Sequence, residues 1–499
     1  MRGFALSIVL MTAALPTQGA WSASNSTLLS SPFITGSELY PVAQFAPVIG
    51  RYVGKKMDRE LIDQITADIQ AMYARDGYVV PQVLMLDSDL TSSTPRIHVF
   101  EARIAEVAIR GDAGPYLQTI MDHAALLDSN IIHKERSLTY FRRIEELPGL
   151  KLRAAFAPRA NQPNRYTLVL NVSYEAVHAS VAAHNRGTEE LGRTMIAGRV
   201  TLNGVLGAEE TISLVGAAST DTDRYHYVGG RIEKRLGRVG TQIDVSSSRA
   251  NFESGYSYST ERARLELNVI GYDDGVWRID PLAAVGGRNG AGEGAADVAL
   301  SETNIRFIEA GLSARRLSPG ATSYFWSTFT RGLDGLGASS WSLYGAPAHL
   351  EFSKANVELL HVHSLTPLWR MRFDLDGQWS DDDLPAGERF TFGGARLGRA
   401  FDPAALIGDS GAAMSVQIER HQRWKHPWLR SGKLYLQADY GYAEHQGTAS
   451  DDAASMTLGL STMIASAFAS LELSQPLMRP DTAADSNDLR AFFLMQVSF

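Results

Sequence analysis

The sequence predicts a mixed fold, in which two small α/β modules precede an antiparallel transmembrane β-barrel of about 16 strands. Three observations lead to this prediction: a short apolar segment opens the chain, apolar residues with helical spacing follow, and from about residue 178 apolar and polar residues alternate. Helical spacing is typical of amphipathic helices, and alternation is typical of strands with one apolar face. The excess of glycine (44) over proline (19) also favours many short strands joined by turns.

The composition excludes several classes of function. Lys and Arg total 47 against 55 Asp and Glu, which gives a net charge of −8, so there is no basic surplus to neutralise phosphates and we expect no nucleic-acid partner. Cysteine is absent, which excludes disulfides, cysteine-ligated zinc, iron–sulfur clusters and thiol catalysis.

Residues 1–22 have the pattern of a secretory signal peptide. Arg2 precedes an apolar run from Phe4 to Leu15, and the helix breaker Pro16 ends it. A run of this length is shorter than the roughly 20 residues that a bilayer-spanning helix needs. The alternative is an uncleaved membrane anchor. The pattern predicts export from the cytoplasm, and we exclude this segment from the fold.

The first module is predicted over residues 33–102. Asp58 is a suitable N-cap for a helix that ends before Gly77, and a strand is predicted from Tyr78 to Leu86. The apolar side chains that define the helix fall three or four residues apart: Leu61, Ile62, Ile65, Ile69, Met72 and Tyr73.

The second module is predicted over residues 103–175. Its predicted elements are a strand at 104–109, helical stretches near 117–127 and 134–146, a break at Leu147-Pro148-Gly149, and strands at 150–156 and 166–172. A β-α-α-β-β unit of this size is small, but its elements are sufficient to enclose one core.

The barrel is predicted over residues 178–499. In the segment 371–380, Met371, Phe373, Leu375 and Trp379 alternate with charged or polar residues, and the segments 262–269 and 414–419 alternate in the same way. With roughly 20 residues per strand and connection, this stretch would hold about 16 strands. The apolar faces are often Ala or Gly and the polar faces carry full charges, which favours lipid outside and water inside. A soluble β-sandwich or propeller is the alternative.

The last predicted strand ends on an aromatic residue. Its apolar face contains Leu489, Ala491, Phe493, Met495, Val497 and Phe499. A terminal Phe on such a strand is the type of signal that barrel-insertion machinery recognises, so we expect Phe499 to be the C-terminal insertion signal.

The order of these parts resembles the two-partner secretion transporters, the TpsB family that includes the hemolysin secretion/activation and filamentous-haemagglutinin transporters. Phe33-Ile34-Thr35-Gly36 resembles the opening strand of a POTRA domain, and Gly77-Tyr78-Val79 its turn after the helix. The second module resembles the family's other POTRA domain, with its break at 147–149. The resemblance implies that both modules lie in the periplasm.

The most specific resemblance lies in residues 393–410, which are similar to the family's sixth extracellular loop, a loop that folds back into the pore. The matching loop motif consists of Gly393, Gly394, Gly398, Gly408 and Asp409. At the tip, Arg399 and Phe401 match the family's Arg-Gly-aromatic pattern, while Ala400 replaces the usual Gly. Asp439 and Gly441 resemble the strand motif whose aspartate meets that arginine. Alternation alone places Asp439 in the lumen.

The resemblance implies that Arg399, Phe401, Asp439 and Gly441 form a pore-loop lock. It further implies an outer-membrane translocator without cofactor or enzymatic activity. The POTRA domains would capture an unfolded, hemolysin-like or adhesin-like exoprotein, and the barrel would conduct it. Other expected partners are outer-membrane lipid and, during biogenesis, the barrel-assembly machinery. Because few residues separate the signal peptide from Phe33, we expect no plug helix. The inserted loop is then expected to be the main obstruction of the resting pore.

Two other functions remain open. One is a barrel-assembly factor of the same superfamily, and the other is a porin or barrel enzyme with periplasmic modules. His361 and His363 share one face of a strand, but two imidazoles without a third ligand predict no metal site. The run Asp381-Asp382-Asp383 is expected to be a solvated loop tip rather than a calcium site.

Overall fold

The computed structural model divides the chain into two compact units, residues 1–176 and 177–499, which are described separately. The residues that the structure describes are 9–10, 27–30, 32–85, 93–127, 130–221, 223–236, 239–295, 298–424, 429–447, 449–480 and 488–499. Apart from Val9–Leu10 (β1), the predicted signal peptide therefore lies outside the described residues. No helix in these ranges is both long and apolar enough to cross a bilayer.

The first module is a three-stranded sheet with one long helix. Its elements are β2 (Phe33–Thr35), α1 (Ala46–Ile49), α2 (Arg59–Arg75), β3 (Gln82–Met85) and β4 (Arg96–Phe100), with the sheet order β2-β4-β3. The predicted helix is confirmed: the Asp58 side chain accepts a hydrogen bond from the Leu61 amide at 2.9 Å, which caps α2. The strand predicted from Tyr78 begins later, because Tyr78 and Val79 pair with the segment around Ile132 and His133 instead.

The second module packs two helices on a three-stranded sheet of β6, β7 and β5, and the two residues of β1, within the predicted signal peptide, pair with β6. Its elements are β5 (Arg103–Gly111), α3 (Leu117–Ala125), α4 (Lys134–Glu145), β6 (Leu150–Pro158) and β7 (Arg165–Tyr174), and the sheet order is β1-β6-β7-β5. Phe141 and Ile144 of α4 are fully buried against the sheet, together with Ile120 of α3. The predicted β-α-α-β-β order is confirmed.

Glu101 fixes the junction between the two modules. One of its carboxylate oxygens accepts hydrogen bonds from the Ser37 and Tyr73 hydroxyls and from the Leu39 amide, and the other lies 3.3 Å from the Arg103 guanidinium. Burial raises the pKa of Tyr73, so its hydroxyl remains protonated and continues to donate to Glu101. The first module therefore ends on a fully satisfied buried charge.

The second unit is a closed barrel, and the described residues contain 16 long strands in it. The short strands β14 and β18 are additional and pair with β15 and β16. The long strands of the first half are β8 (Val177–His184), β9 (Met195–Asn203), β10 (Glu210–Ser219), β11 (Tyr225–Leu236), β12 (Val239–Asn251), β13 (Ser257–Val269), β15 (Trp277–Glu293) and β16 (Ala299–Ser318), with β14 at Tyr272–Asp273. Those of the second half are β17 (Ala321–Leu333), β19 (Ser353–Ser364), β20 (Trp369–Trp379), β23 (Ser410–Arg423), β24 (Leu429–Glu444), β25 (Asp451–Ile464), β26 (Ala467–Met478) and β27 (Arg490–Ser498), with β18 at Ser339–Ser342.

The alternation in the sequence corresponds to the two faces of the barrel wall. Leu265 and Leu267 of β13 are exposed on the outer face, as are Met414 of β23 and Leu436 of β24. The inner face carries charges in pairs: Arg264 lies 2.7 Å from Glu266 and 2.6 Å from Glu309, Arg372 lies 2.6 Å from Asp374, and Lys433 lies 2.7 Å from Glu419. This is the arrangement of a wall with lipid outside and water inside.

The barrel closes where the last strand meets the first. β27 and β8 are antiparallel, with paired residues running from Leu494 and His184 to Ser498 and Ser180. Phe499 continues this pairing by exchanging two main-chain hydrogen bonds with Ala179, and its ring is exposed. We call this boundary between β8 and β27 the seam.

Candidate functional site

A long connection enters the lumen between β20 and β23. We call residues 380–409 the inserted loop, and residues 393–405 its tip. It is the sixth connection on its side of the barrel, and it contains a small hairpin of β21 (Phe390–Phe392) and β22 (Leu406–Gly408). The hairpin packs on the inner face of β23, β24 and β25. The loop predicted over 393–410 is thus found inside the lumen, and its inward path begins earlier, at residue 380.

Apolar contacts hold the hairpin against the wall. Phe390, Phe392 and Phe401 are buried, and they pack with small wall residues, Ala413 of β23, Ala443 of β24 and Ala453 of β25. The rings of Phe392 and Phe401 lie 6.1 Å apart. Small residues in the wall are what lets a hairpin of aromatic residues lie this close to it.

Gly441 makes room for Phe392. A Cβ atom at Gly441 would lie 2.4 Å from the Phe392 ring, and at Gly411 it would lie 2.2 Å from the Phe390 ring. Real Cβ contacts are not this short, so the two strand glycines are required for the hairpin to dock. Gly441 was predicted as a site residue and lies in the site, whereas Gly411 was missed by the sequence analysis.

The tip glycines have backbone conformations that other residues rarely adopt. Gly393, Gly394 and Gly398 have φ angles of 120°, 105° and 72°. A Cβ atom at Gly393 would lie 2.1 Å from the Asp402 carbonyl oxygen, and at Gly408 it would lie 2.6 Å from the main chain of Glu444. These predicted motif residues therefore set the path of the tip.

Arg399 binds the wall next to the docked hairpin, on β24 and β26. Its guanidinium donates to Glu472 Oε1 of β26 at 2.8 Å and to the Tyr435 hydroxyl at 3.3 Å, and it lies 5.4 Å from the centroid of the Tyr435 ring. Glu472 also accepts hydrogen bonds from Tyr435 and from Arg186. All of these side chains are largely buried, so the ion pairs are only weakly screened.

The expected contact between Arg399 and Asp439 is present through the main chain only. Asp439 Oδ2 lies 3.4 Å from the Arg399 amide nitrogen, and the guanidinium pairs with Glu472 instead. Asp439 also accepts hydrogen bonds from Gln437 at 2.6 Å and from Ser455 at 3.0 Å. Asp439 thus holds the tip by its backbone, and Glu472 holds it by its charge.

Glu472 is the residue that the sequence analysis missed. Alternation in β26 puts Leu471 and Leu473 on the outer face, so the inward position of Glu472 follows from the sequence. Its meeting with Arg399 does not, because two residues 73 positions apart come together only through the barrel's register.

Asp409 anchors the base of the inserted loop. Its carboxylate accepts hydrogen bonds from the Leu384 amide at 2.9 Å and the Gln446 amide at 3.1 Å, and it lies 3.3 Å from the Arg389 guanidinium. Burial alone would raise the pKa of Asp409, but these amide donors and the charge of Arg389 lower it below its ordinary value. The predicted motif aspartate is therefore an ionised anchor.

Glu388 is a second anchor, which the sequence analysis also missed. It is buried between Lys354 of β19, at 2.9 Å, and Arg288 of β15, at 3.4 Å. Burial would raise the pKa of Glu388, and these two cations instead lower it. The inserted loop is consequently fixed to the barrel on two sides, by Glu388 at β15 and β19 and by Arg399 at β26.

Replacing Glu388 with glutamine is expected to loosen the base of the loop, because two buried cations then face a neutral side chain. Breaking a buried pair in this way costs about 3–5 kcal/mol. The measurement is the temperature at which the folded barrel loses its compact form in semi-native gel electrophoresis, and we expect it to fall. Asp383→Asn is the matched control, since Asp383 is an exposed residue of the same loop that pairs with Arg389. An unchanged transition temperature in Glu388→Gln would contradict the anchor.

The two metal sites considered from the sequence gain no third ligand among the residues that the structure describes. The rings of His361 and His363 lie parallel, 6.1 Å apart, and His361 Nδ1 lies 2.8 Å from the Ser323 hydroxyl. In the Asp381–Asp383 run, Asp382 accepts a hydrogen bond from the Ser353 amide at 2.6 Å. Across the described ranges, no group of three or more His, Asp or Glu side chains is arranged to hold a metal ion.

Comparisons with known proteins agree with this architecture. Residues 295–462 match the family model of the haemolysin secretion/activation proteins ShlB, FhaC and HecB, and residues 31–102 match the ShlB-type POTRA domain. The outer membrane transporter CdiB of Dickeya dadantii is 23% identical over 440 residues, covering 81% of this chain and 74% of that protein. The heme/hemopexin transporter protein HuxB of Haemophilus influenzae is 18% identical over 484 residues, covering 91% of this chain and 83% of that protein.

The fold is also that of a solved structure. CdiB from Escherichia coli superposes with a TM-score of 0.71 at 18% identity, over 97% of this chain and 93% of that chain. The match includes both the N-terminal unit and the barrel, so the order of parts and the closed barrel are shared.

Proposed function

Because the chain belongs to the haemolysin secretion/activation family of two-partner secretion transporters, we propose that it exports one partner exoprotein and that its inserted loop is the gate. It is an outer-membrane transporter with POTRA domains on the periplasmic side. The finer assignment is that the exported protein is hemolysin-like or adhesin-like and crosses the barrel unfolded. The matched relatives carry transporter names, so transport rather than catalysis is the function we assign.

The observation that carries this proposal is the way in which the inserted loop is held. The loop lies in the lumen, where it obstructs a passing chain. Polar contacts to Glu472 and Asp439 fasten its tip, and its own residues Asp409 and Glu388 fasten its base through Gln446 and Lys354. Such polar contacts can be exchanged for contacts with water when the loop is released. We therefore assign Arg399, Phe401, Asp439 and Gly441 to the resting lock, together with Glu472.

We propose that the POTRA modules, residues 33–102 and 103–175, capture the exoprotein by adding one of its segments to a sheet edge. In the first module β2 and β3 are the outer strands of the sheet. An extended, unfolded segment gains main-chain hydrogen bonds at such an edge without needing a defined side-chain sequence. This mode suits a substrate that has not yet folded.

Two further partners belong to the same proposal. The exposed apolar outer face of the barrel, including Leu265, Leu267 and Leu436, is assigned to outer-membrane lipid. Phe499 ends the last strand with its ring exposed, and we assign it as the signal read by the barrel-assembly machinery. The amount of a Phe499-truncated chain in outer-membrane fractions, compared with the full chain, tests this assignment.

The experiment that tests the function compares culture-supernatant and surface proteomes of a deletion strain and its complemented parent. Selective loss of one large secreted protein is the expected result, and it would identify the substrate. A broad decrease of many outer-membrane barrels would instead mean an assembly factor. No change in either proteome would contradict export and favour a porin or a barrel enzyme.

A further inference from the structure

The seam is paired over only part of its length. β27 pairs with β26 from Arg490 to Val497, but its pairing with β8 begins at Leu494. The first residues of β27 therefore have a strand on one side only in the described chain. A strand edge without a neighbouring strand is a weak point in a sheet.

The side chain of Asn185 takes the place of the missing strand. Its carboxamide nitrogen donates to the Ala491 carbonyl at 3.0 Å, and its carboxamide oxygen accepts from the Phe493 amide at 2.7 Å. One side-chain amide thus imitates one peptide unit of a neighbouring strand. The Asn185 main-chain amide adds a hydrogen bond to the Phe493 carbonyl at 3.4 Å. These contacts are confined to one residue, whereas a ladder would add bonds at every second residue.

Next to the Asn185 contact, the tip of the inserted loop bridges the two sides of the seam. From the side of β8, Arg186 donates to the Arg399 carbonyl at 3.2 Å and pairs with Glu472. From β27 itself, Arg490 donates to the Ala400 carbonyl at 3.0 Å and pairs with Asp402. Two successive carbonyls of the tip are therefore bound by arginines from opposite sides of the seam.

The same two arginines enclose one aromatic ring. The guanidinium carbon of Arg186 lies 4.0 Å from the centroid of Phe492, and that of Arg490 lies 5.1 Å from it. Phe492 is buried on the lumen face of β27. Two cations close to one ring repel each other, and the nearby carboxylates of Glu472 and Asp402 compensate that repulsion. Asp402 has a further cation, Arg193, at 4.0 Å.

We propose that the tip of the inserted loop latches the barrel seam, with Arg186 and Arg490 as the positioning residues. The lock in the lumen and the closure of the wall are then coupled, because releasing the tip removes its part of the bridge between β8 and β27. The part of the seam that this release weakens contains residues 490–493 of β27, where Asn185 and the direct contacts of Arg186 with Glu472 and Phe492 would remain. The use of this opening during secretion rests on the proposed function; the latch itself does not.

The test is hydrogen–deuterium exchange on the purified full chain in lipid vesicles, without substrate. In an Arg186→Ala, Arg490→Ala double variant, the main-chain amides of residues 490–494 are expected to exchange at least about tenfold faster than in the wild type. The reason is that the bridge across this part of the seam is lost. Arg396→Ala is the matched control: Arg396 also ties the tip to the wall, but through Asp376 and Glu358 on β20 and β19, away from the seam. Its exchange at 490–494 should equal that of the wild type.

Unchanged exchange in the double variant would overturn the latch, as would an equal increase in the Arg396→Ala control. Arg490→Lys, which keeps a cation for Asp402 and Phe492, should restore much of the protection that Arg490→Ala loses. The chain has no cysteine, so an Ala182→Cys, Gln496→Cys pair would be its only thiols, placed at registered positions across the seam. Oxidation of this pair in the double variant should slow the exchange again, and continued fast exchange would place the opening elsewhere.

Discussion

Replacing Arg399 with alanine is expected to reduce export of the partner protein strongly while leaving the barrel in the outer membrane. The variant removes the guanidinium from Glu472 and Tyr435, whereas the wall keeps its strands and its ladder. A hydrogen bond to a charged group contributes about 1.5–3 kcal/mol. This energy corresponds to about a tenfold to hundredfold shift of the loop toward its released state, at roughly 1.4 kcal/mol per tenfold. Export is expected to fall because a loop that is already released no longer couples the opening of the pore to the arrival of the partner protein.

Two measurements on intact cells check this prediction. The first is the amount of exported protein in the supernatant. The second is trypsin cleavage after Arg396, a site in the tip that the Arg399 and Glu472 variants retain. Glu472→Gln and the double variant complete a thermodynamic cycle, in which the effects should be strongly less than additive if the two side chains act as a pair. Wild-type export by Arg399→Ala would contradict the lock, and absence of the barrel from the membrane would reveal a role in folding instead.

Gly441→Val is expected to prevent the inserted loop from docking. The new side chain would occupy the position of the Phe392 ring, and β24 cannot move away because it is paired on both sides. Overpacking alone costs about 1–3 kcal/mol. Exposure of the Phe392 side chain costs a similar free energy, about 1.5–3 kcal/mol, because its burial is lost. The tip should then be cleaved by trypsin as readily as an ordinary surface loop, and the lumen should conduct ions more freely in planar bilayers.

Gly198→Val provides the control for this substitution. Gly198 is also a strand glycine of the barrel, in β9, but nothing lies within 4 Å of a Cβ atom there. In the Gly198→Val variant, the inserted loop should stay protected from trypsin and the ion conductance of the lumen should stay low. If Gly441→Val retained a protected loop, the packing of Phe392 on the wall would not be what holds the hairpin.

Much of this fold follows from the sequence, because two periodicities separate its halves. The spacing of Leu61, Ile65 and Ile69 gives α2 and its buried face, and the alternation around Asp439 gives the direction of its side chain. Both are local properties that need no knowledge of the partner element. The inserted path of the loop came from its resemblance to a known family, since no local pattern distinguishes an inserted loop from a surface loop.

The contacts that complete the site are not local, so they could not be predicted from local sequence patterns. Glu472, Glu388 and Arg186 each lie on separate elements, and their meeting depends on the register of the barrel. Phe492 shows a second difficulty. The last strand carries apolar residues on both faces, so alternation does not reveal that this ring is enclosed by two arginines in the lumen.

The inserted loop is covalently joined to β20 at one end and to β23 at the other, and this connection has a consequence for how transport ends. A displaced tip cannot diffuse away, so its return is intramolecular, and short flexible tethers create effective concentrations in the millimolar range. In the proposed mechanism, Glu472 and Asp439 therefore always compete for their own loop against a passing chain. We expect the pore to reseal by this intramolecular return once the last segment of that chain has left.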